Sequence, residues 1–135
     1  MTINWNITGL WILKAIAALI MLQTLYFKFS GAEESVYIFS KLGMEPRGRI
    51  GTGVLELIAS SLILYPRTTI IGAILGIGLM SGAIFFHITK LGIVVKEDGG
   101  QLFIYSLLVL FSCCLLLFIK RKEVFDFINH NFLQR

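Results

Sequence analysis

Four long runs of apolar residues constrain this chain more than any other feature of its sequence. They cover about residues 8–29, 49–65, 68–90 and 101–119. At a rise of about 1.5 Å per residue, helices of this length match the roughly 30 Å hydrocarbon core of a bilayer. Four buried soluble helices would leave little polar surface, because 56% of the residues are hydrophobic and only 15% are charged.

The runs predict an all-α polytopic membrane protein, since helices in lipid satisfy their own backbone hydrogen bonds. The predicted fold is an antiparallel bundle of four transmembrane helices within residues 1–119, followed by a basic tail at 120–135. The tight turn YPRT at 65–68 makes the second and third helices antiparallel neighbours. The longer connection at 30–48 is either a short interfacial helix or an ordered loop.

Basic residues suggest how the chain meets the membrane. The net charge of +4 is interpreted as basic flanks that contact anionic lipid headgroups, so the lipid bilayer is the predicted partner and nucleic acid is not. Basic residues divide evenly between the two sides of the bundle, but the dense KRK cluster at 120–122 favours cytoplasmic termini. In the tail, Val124, Ile128 and Phe132 predict an amphipathic surface helix, whereas Lys14 is expected to extend to the headgroups.

Ionisable residues inside predicted spans are costly and mark candidate sites. Lys28 ends the first helix, Arg49 and Glu56 share a face of the second, and His87 closes the third. With Asp98 before the fourth helix, these groups should lie in one membrane layer. Two interpretations stay open: a salt-bridge network that sets helix register, or a site where histidine and carboxylate exchange protons with a quinol or similar carbonyl ligand.

Glycine and cysteine carry weaker signals. The pairs Gly72/Gly76 and Gly78/Gly82 form two small-residue stripes, which could pack inside the subunit or form a homo-oligomer interface. The adjacent cysteines at 113–114 lack the spacing of a redox or metal-binding pair and are typical of apolar packing. No metal site is therefore predicted.

Several short segments, spread over about residues 10–118, resemble a known family. They are LYFKFSG at 25–31, LGMEP at 42–46, RIGTGVLEL at 49–57, GAIFFH at 82–87 and DGG at 98–100. The pattern resembles the DoxX family of small four-helix bacterial membrane proteins, and this resemblance implies a location in the bacterial inner membrane. The resemblance implies that Lys28, Glu56 and His87 are the shared polar residues.

The functions implied by the resemblance differ among relatives. They include the small membrane subunit of thiosulfate:quinone oxidoreductase and proteins that look like membrane anchors for redox or detoxifying partners. The leading hypothesis is a redox-associated membrane subunit that binds a quinone or similar lipid-soluble ligand between the first three spans. One alternative is a scaffolding protein whose polar cluster is purely structural, and a weaker one is an oligomeric small-solute transporter. No haem, flavin or iron–sulfur pattern is present, and whether the chain is an enzyme stays open.

Overall fold

The structure is a computed structural model, and it describes residues 5–130 of the chain. Four long helices lie where the apolar runs predict them: α1 (Trp5–Phe29), α3 (Arg47–Leu64), α4 (Thr69–Phe86) and α5 (Gln101–Ile119). Two short helices, α2 (Glu33–Lys41) and α6 (Arg121–Ile128), and a π-helical turn, His87–Leu91, complete the described part. The connection at 30–48 therefore contains a helix rather than only an ordered loop.

The long helices form a closed ring. Helices α1 and α4 lie on opposite sides, and each packs against both α3 and α5. At the tight turn, the Thr69 hydroxyl donates to the Ile63 carbonyl at 2.9 Å, which ties the start of α4 to the end of α3. The end of α1 contacts the start of α3 through Lys28 and Arg49, and His87, just after α4, contacts Phe103 near the start of α5. Neighbouring long helices therefore run in alternating directions.

Small side chains allow the helices to approach closely. A Cβ atom added at Gly72 would lie 2.6 Å from the Ile63 backbone nitrogen, and one added at Gly76 would lie 2.9 Å from Cys113 Sγ. The Gly72/Gly76 stripe thus packs against α3 and α5 of the same chain, which is the first of its two predicted alternatives, packing inside the subunit. The Gly78/Gly82 stripe has open space beside it, and a homo-oligomer contact there stays a prediction.

The outside of the bundle is apolar, as expected for contact with lipid. Leu19 and Phe111, for example, are each 64% exposed. Three helical segments are long and apolar enough to cross a membrane: Ile7–Phe29, Thr69–Leu91 and Gln101–Ile119. Within the described residues this is one candidate span fewer than predicted, because α3 carries Arg47, Arg49 and Glu56 within its 18 residues.

Lys14 and the tail helix both lie toward the end of the bundle that carries the termini. Lys14 was expected to extend to the headgroups, but it is only 4% exposed and its ammonium lies 4.5 Å from the centre of the Trp11 ring. Neighbouring elements cover it, and its contact with the headgroups stays a prediction. The predicted tail helix is present as α6, although Phe132 of its apolar face lies outside the described residues.

Candidate ligand-binding site

A cavity of about 450 Å³ lies at the end of the bundle where α1 and α4 finish and α3 and α5 begin. Helix α2 covers this end, and all of α1 to α5 contribute to the cavity wall. Most of the wall is apolar, with a few polar groups among the aliphatic and aromatic side chains, a composition typical of small-molecule sites. The cavity opens to the outer surface of the bundle, because several of its lining residues are exposed: Gln23, Phe27, Gly78 and Gln101.

An ion pair between α1 and α3 forms the polar centre of the wall. Lys28 Nζ lies 2.7 Å from Glu56 Oε2 and 2.9 Å from Oε1. Thr24 lies one helical turn before Lys28, and its hydroxyl contacts both partners, at 3.0 Å from Glu56 Oε2 and 3.2 Å from the ammonium. Both charged side chains are largely removed from solvent, with 14% and 6% of their surfaces exposed. Their attraction is strong at such a site because little water screens it.

His87 approaches the cavity from the π-helical turn that extends α4. Its Nδ1 lies 2.9 Å from the Gly92 carbonyl oxygen, which can only accept, so Nδ1 carries the proton of this bond. Gly92 has a φ of +82°, a conformation that glycine adopts without strain and that ends the turn. Short π-helical insertions of this kind are frequent at functional sites.

The second ring nitrogen of His87 is the one available to a ligand. Within residues 5–130, Nε2 has no hydrogen-bond partner. In the same part of the chain, no side-chain nitrogen or oxygen is both inaccessible and unpartnered. Nε2 is therefore accessible, although the residue as a whole is only 5% exposed. Because His87 lines the cavity, we interpret this access as access from the cavity.

Arg49 lies beside the cavity rather than in its wall. Its Nε donates to both carboxylate oxygens of Glu45, at 2.9 and 3.0 Å, and its Nη1 donates to the Lys28 carbonyl oxygen. The guanidinium thus satisfies a backbone carbonyl at the end of α1 and holds that end against the start of α3. Arg49 is a positioning residue for Lys28.

Asp98 also lies outside the cavity wall, where it organises the loop before α5. Its carboxylate accepts hydrogen bonds from the backbone N–H groups of Val95, Gly100 and Leu102, at 3.0, 2.8 and 3.3 Å. Partial burial favours a higher pKa for this carboxyl, but the three N–H groups, assisted by the charge of His87, outweigh it and lower the pKa below its usual 3.8. The carboxylate therefore acts as a structural cap.

Of the five predicted site residues, the structure brings Lys28, Glu56 and His87 to one cavity and places Arg49 and Asp98 in supporting positions. It also extends the predicted pocket, which was expected between three helices, to α2 and α5. Further polar lining residues were missed: Thr24, Glu34, Ser35, Gln101, Tyr105 and Ser106. Thr24 could have been predicted, because helical spacing places it one turn from Lys28 on the same face of α1. The polar residues of α5 could not, because they lie within a run of mostly apolar residues.

Within residues 5–130, no group of three or more His, Cys, Asp or Glu side chains is placed to hold a metal ion. Fold and cavity together define a small, all-helical membrane protein with a buried polar centre.

A family model described as DoxX-like matches residues 12–116, which is most of the chain. The chain therefore belongs to the DoxX-like family, as its sequence motifs predicted. No curated protein and no solved structure matches it.

Proposed function

We propose that this chain is a redox-associated subunit of the bacterial inner membrane that binds a quinone or a similar lipid-soluble carbonyl compound in the cavity. The observation that carries the proposal is His87, a nearly buried histidine whose Nε2 is accessible and unpartnered while Nδ1 is held by Gly92. With Nδ1 protonated, neutral His87 can accept a hydrogen bond from a quinol hydroxyl. Its protonated form can donate to a quinone carbonyl.

The rest of the cavity suits an amphipathic ligand. Lys28 and Glu56 supply a cation and a carboxylate that can hydrogen-bond a polar head, and Thr24 orients both. Aliphatic and aromatic side chains line the remaining wall, and the opening beside Phe27 and Gly78 offers a path for an apolar tail toward lipid. The same proposal includes a redox partner protein, with which the bound ligand would exchange electrons.

The proposed topology has four spans, with α3 as the fourth. Arg49 bonds Glu45 and the end of α1, and Glu56 bonds Lys28 in the cavity wall, so these two need not contact lipid. Arg47 is exposed at the first residue of the helix. The termini are proposed to be cytoplasmic because of the basic cluster at 120–122, and the segment 120–135 is proposed to lie on the membrane surface as a basic tail.

Binding of a short-chain quinone, decylubiquinone, to the purified protein in detergent tests the proposal. We expect saturable binding to the unaltered protein and about tenfold or more weaker binding to His87→Ala, the loss expected for one hydrogen bond in a desolvated site. His130→Ala is the matched control, because His130 is exposed at the other end of the chain. Absence of saturable binding, or equal loss in both variants, would reject the proposal.

One observation favours the scaffolding alternative. Within residues 5–130, the Lys28–Glu56 pair is complete without a ligand, and no inaccessible polar side-chain atom lacks a partner. Both functions predict that Glu56→Gln is less stable, so the affinity for the ligand, rather than stability, separates them. Unchanged decylubiquinone affinity in folded Glu56→Gln and His87→Ala would support a purely structural cluster.

A further inference from the structure

A second cleft lies at the opposite end of the bundle, where the first half of α1 meets the junction of α5 and α6. Its volume is about 490 Å³, and its wall consists of Leu10 and residues 119–123. Three of these wall residues are basic, namely Lys120, Arg121 and Lys122, and one, Glu123, is acidic. The cleft is therefore positively charged, and it belongs to no part of the quinone proposal.

Lys14 adds a buried cation beside this cleft. It lies one turn after Leu10 on the same face of α1 and is only 4% exposed. Its ammonium is directed back along the helix to the level of Trp11, whose ring centre is 4.5 Å away. Among residues 5–130 the ammonium has no hydrogen bond and no ion pair. An aromatic face alone is a weak counterpart for a charge removed from water.

The neighbouring charges increase the need for an anion. Lys120 and Glu123 both lie near enough to act electrostatically on the Lys14 ammonium. Lys120 is itself largely covered, with 13% of its side chain exposed, and its distance of 3.4 Å to the exposed carboxylate of Glu123 is long. Two largely covered ammonium groups thus lie at or beside a cleft whose lining carboxylate, Glu123, is exposed.

We propose that this cleft binds the phosphate of an anionic phospholipid headgroup, which lies between Lys14 and Lys120. The position of the cleft favours a lipid over a free anion. Trp11 beside it is 48% exposed, and Phe125 and Ile128 of α6 are 67% and 43% exposed. Aromatic and apolar groups next to basic ones are typical of the headgroup level of a bilayer. A phosphate at this level reaches the lysines while its acyl chains stay against α1 and α5.

Lipid retention by the full-length purified protein tests this inference. Native mass spectrometry in detergent would compare phosphatidylglycerol with phosphatidylcholine, and we expect retention of the anionic lipid only. Lys14→Gln and Lys120→Gln should each weaken retention by about fivefold, the effect of removing one basic group near a lipid headgroup. Lys90→Gln is the matched control, since Lys90 is exposed at the opposite end of the bundle and its removal changes the net charge equally.

Two further measurements separate the sources of the anion and the effects of folding. Inorganic phosphate should not raise the thermal unfolding midpoint, whereas phosphatidylglycerol should. A Lys14-dependent rise with inorganic phosphate would overturn the lipid assignment. Lys14→Arg keeps the charge and should retain the lipid, and Lys120→Gln tests the site if Lys14→Gln does not fold. Equal retention of both lipids, or equal losses in Lys90→Gln and Lys120→Gln, would overturn the site.

Discussion

Lys28 and Glu56 form an ion pair inside the helix bundle, with 2.7 Å between Lys28 Nζ and Glu56 Oε2. The pair joins the last turn of α1 to the middle of α3 and forms part of the cavity wall. Burial makes both charges dependent on each other, because neither has enough water to replace its partner. The same contact therefore stabilises the bundle and keeps a polar group in an otherwise apolar pocket.

Replacement of Lys28 should be strongly destabilising. Lys28→Met leaves the Glu56 carboxylate buried without its cation, and we expect the free energy of unfolding to fall by about 3–5 kcal/mol. Unfolding by sodium dodecyl sulfate in mixed micelles would measure it. Lys41→Met, at an exposed lysine, serves as the control. The double variant Lys28→Met/Glu56→Gln should recover most of the loss, and a Lys28→Met effect under about 0.5 kcal/mol would contradict a buried pair.

Arg49 should matter more than its near neighbour Arg47. Arg49→Met removes the bonds to Glu45 and to the Lys28 carbonyl, and we expect a loss of about 1.5–3 kcal/mol in unfolding free energy. Arg47→Met removes the same charge from an exposed position two residues earlier and should have little effect. The same micelle titration compares them. Similar losses in the two variants would mean that charge, rather than the contacts of Arg49, determines stability.

The two glycine stripes should respond oppositely to alanine. Gly72→Ala places a methyl group 2.6 Å from the Ile63 backbone nitrogen, and we expect a loss of about 1–3 kcal/mol. Gly78→Ala has open space and should leave stability unchanged or raise it by up to about 1 kcal/mol, because alanine favours the helix. Thermal unfolding in detergent measures both. A destabilising Gly78→Ala that also abolished self-association would instead indicate a helix contact between copies.

Acid should weaken the cap formed by Asp98. Because the folded-state pKa of Asp98 lies below the usual 3.8, the folded protein binds a proton at this carboxylate less readily than the unfolded chain does. The stabilisation is fully present above pH 3.8 and is lost as the pH falls through the folded-state value. Unfolding free energies between pH 6 and pH 3 should therefore fall more steeply for the unaltered protein than for Asp98→Asn. Asp126→Asn, at an exposed carboxylate of α6, should keep the original slope, and identical slopes for all three proteins would contradict the prediction.

Much of the architecture follows from local pattern. Apolar runs predicted all four long helices, and α5 at Gln101–Ile119 matches its predicted bounds. The convergence of Lys28, Glu56 and His87 was also predictable, because alternating helix directions bring the end of one helix to the start of the next. Helical spacing cannot give exact partners, however. It placed Asp98 with the cluster, although the nearby N–H groups of its own loop hold its carboxylate.

Other features depended on contacts between distant segments. Lys14 was expected at the headgroups because a long side chain near a helix end usually extends to water. In the structure, neighbouring elements cover it, and sequence periodicity contains no information about which helix will do so. The same applies to Gly72 and Gly76, whose spacing permits close packing without identifying α3 and α5 as the partners.

By itself, the sequence determined an all-helical membrane protein with polar groups in one layer, because hydrophobicity and the helical period are local properties. Only the tertiary structure decided that Lys28 bonds Glu56 and Thr24, that Gly92 leaves His87 Nε2 accessible, and that α2 and α5 help to enclose the cavity. These outcomes depend on the rotation and depth of each helix against its neighbours. Packing among all the helices sets the rotation and the depth of each helix together, so neither can be predicted from the sequence of a single segment.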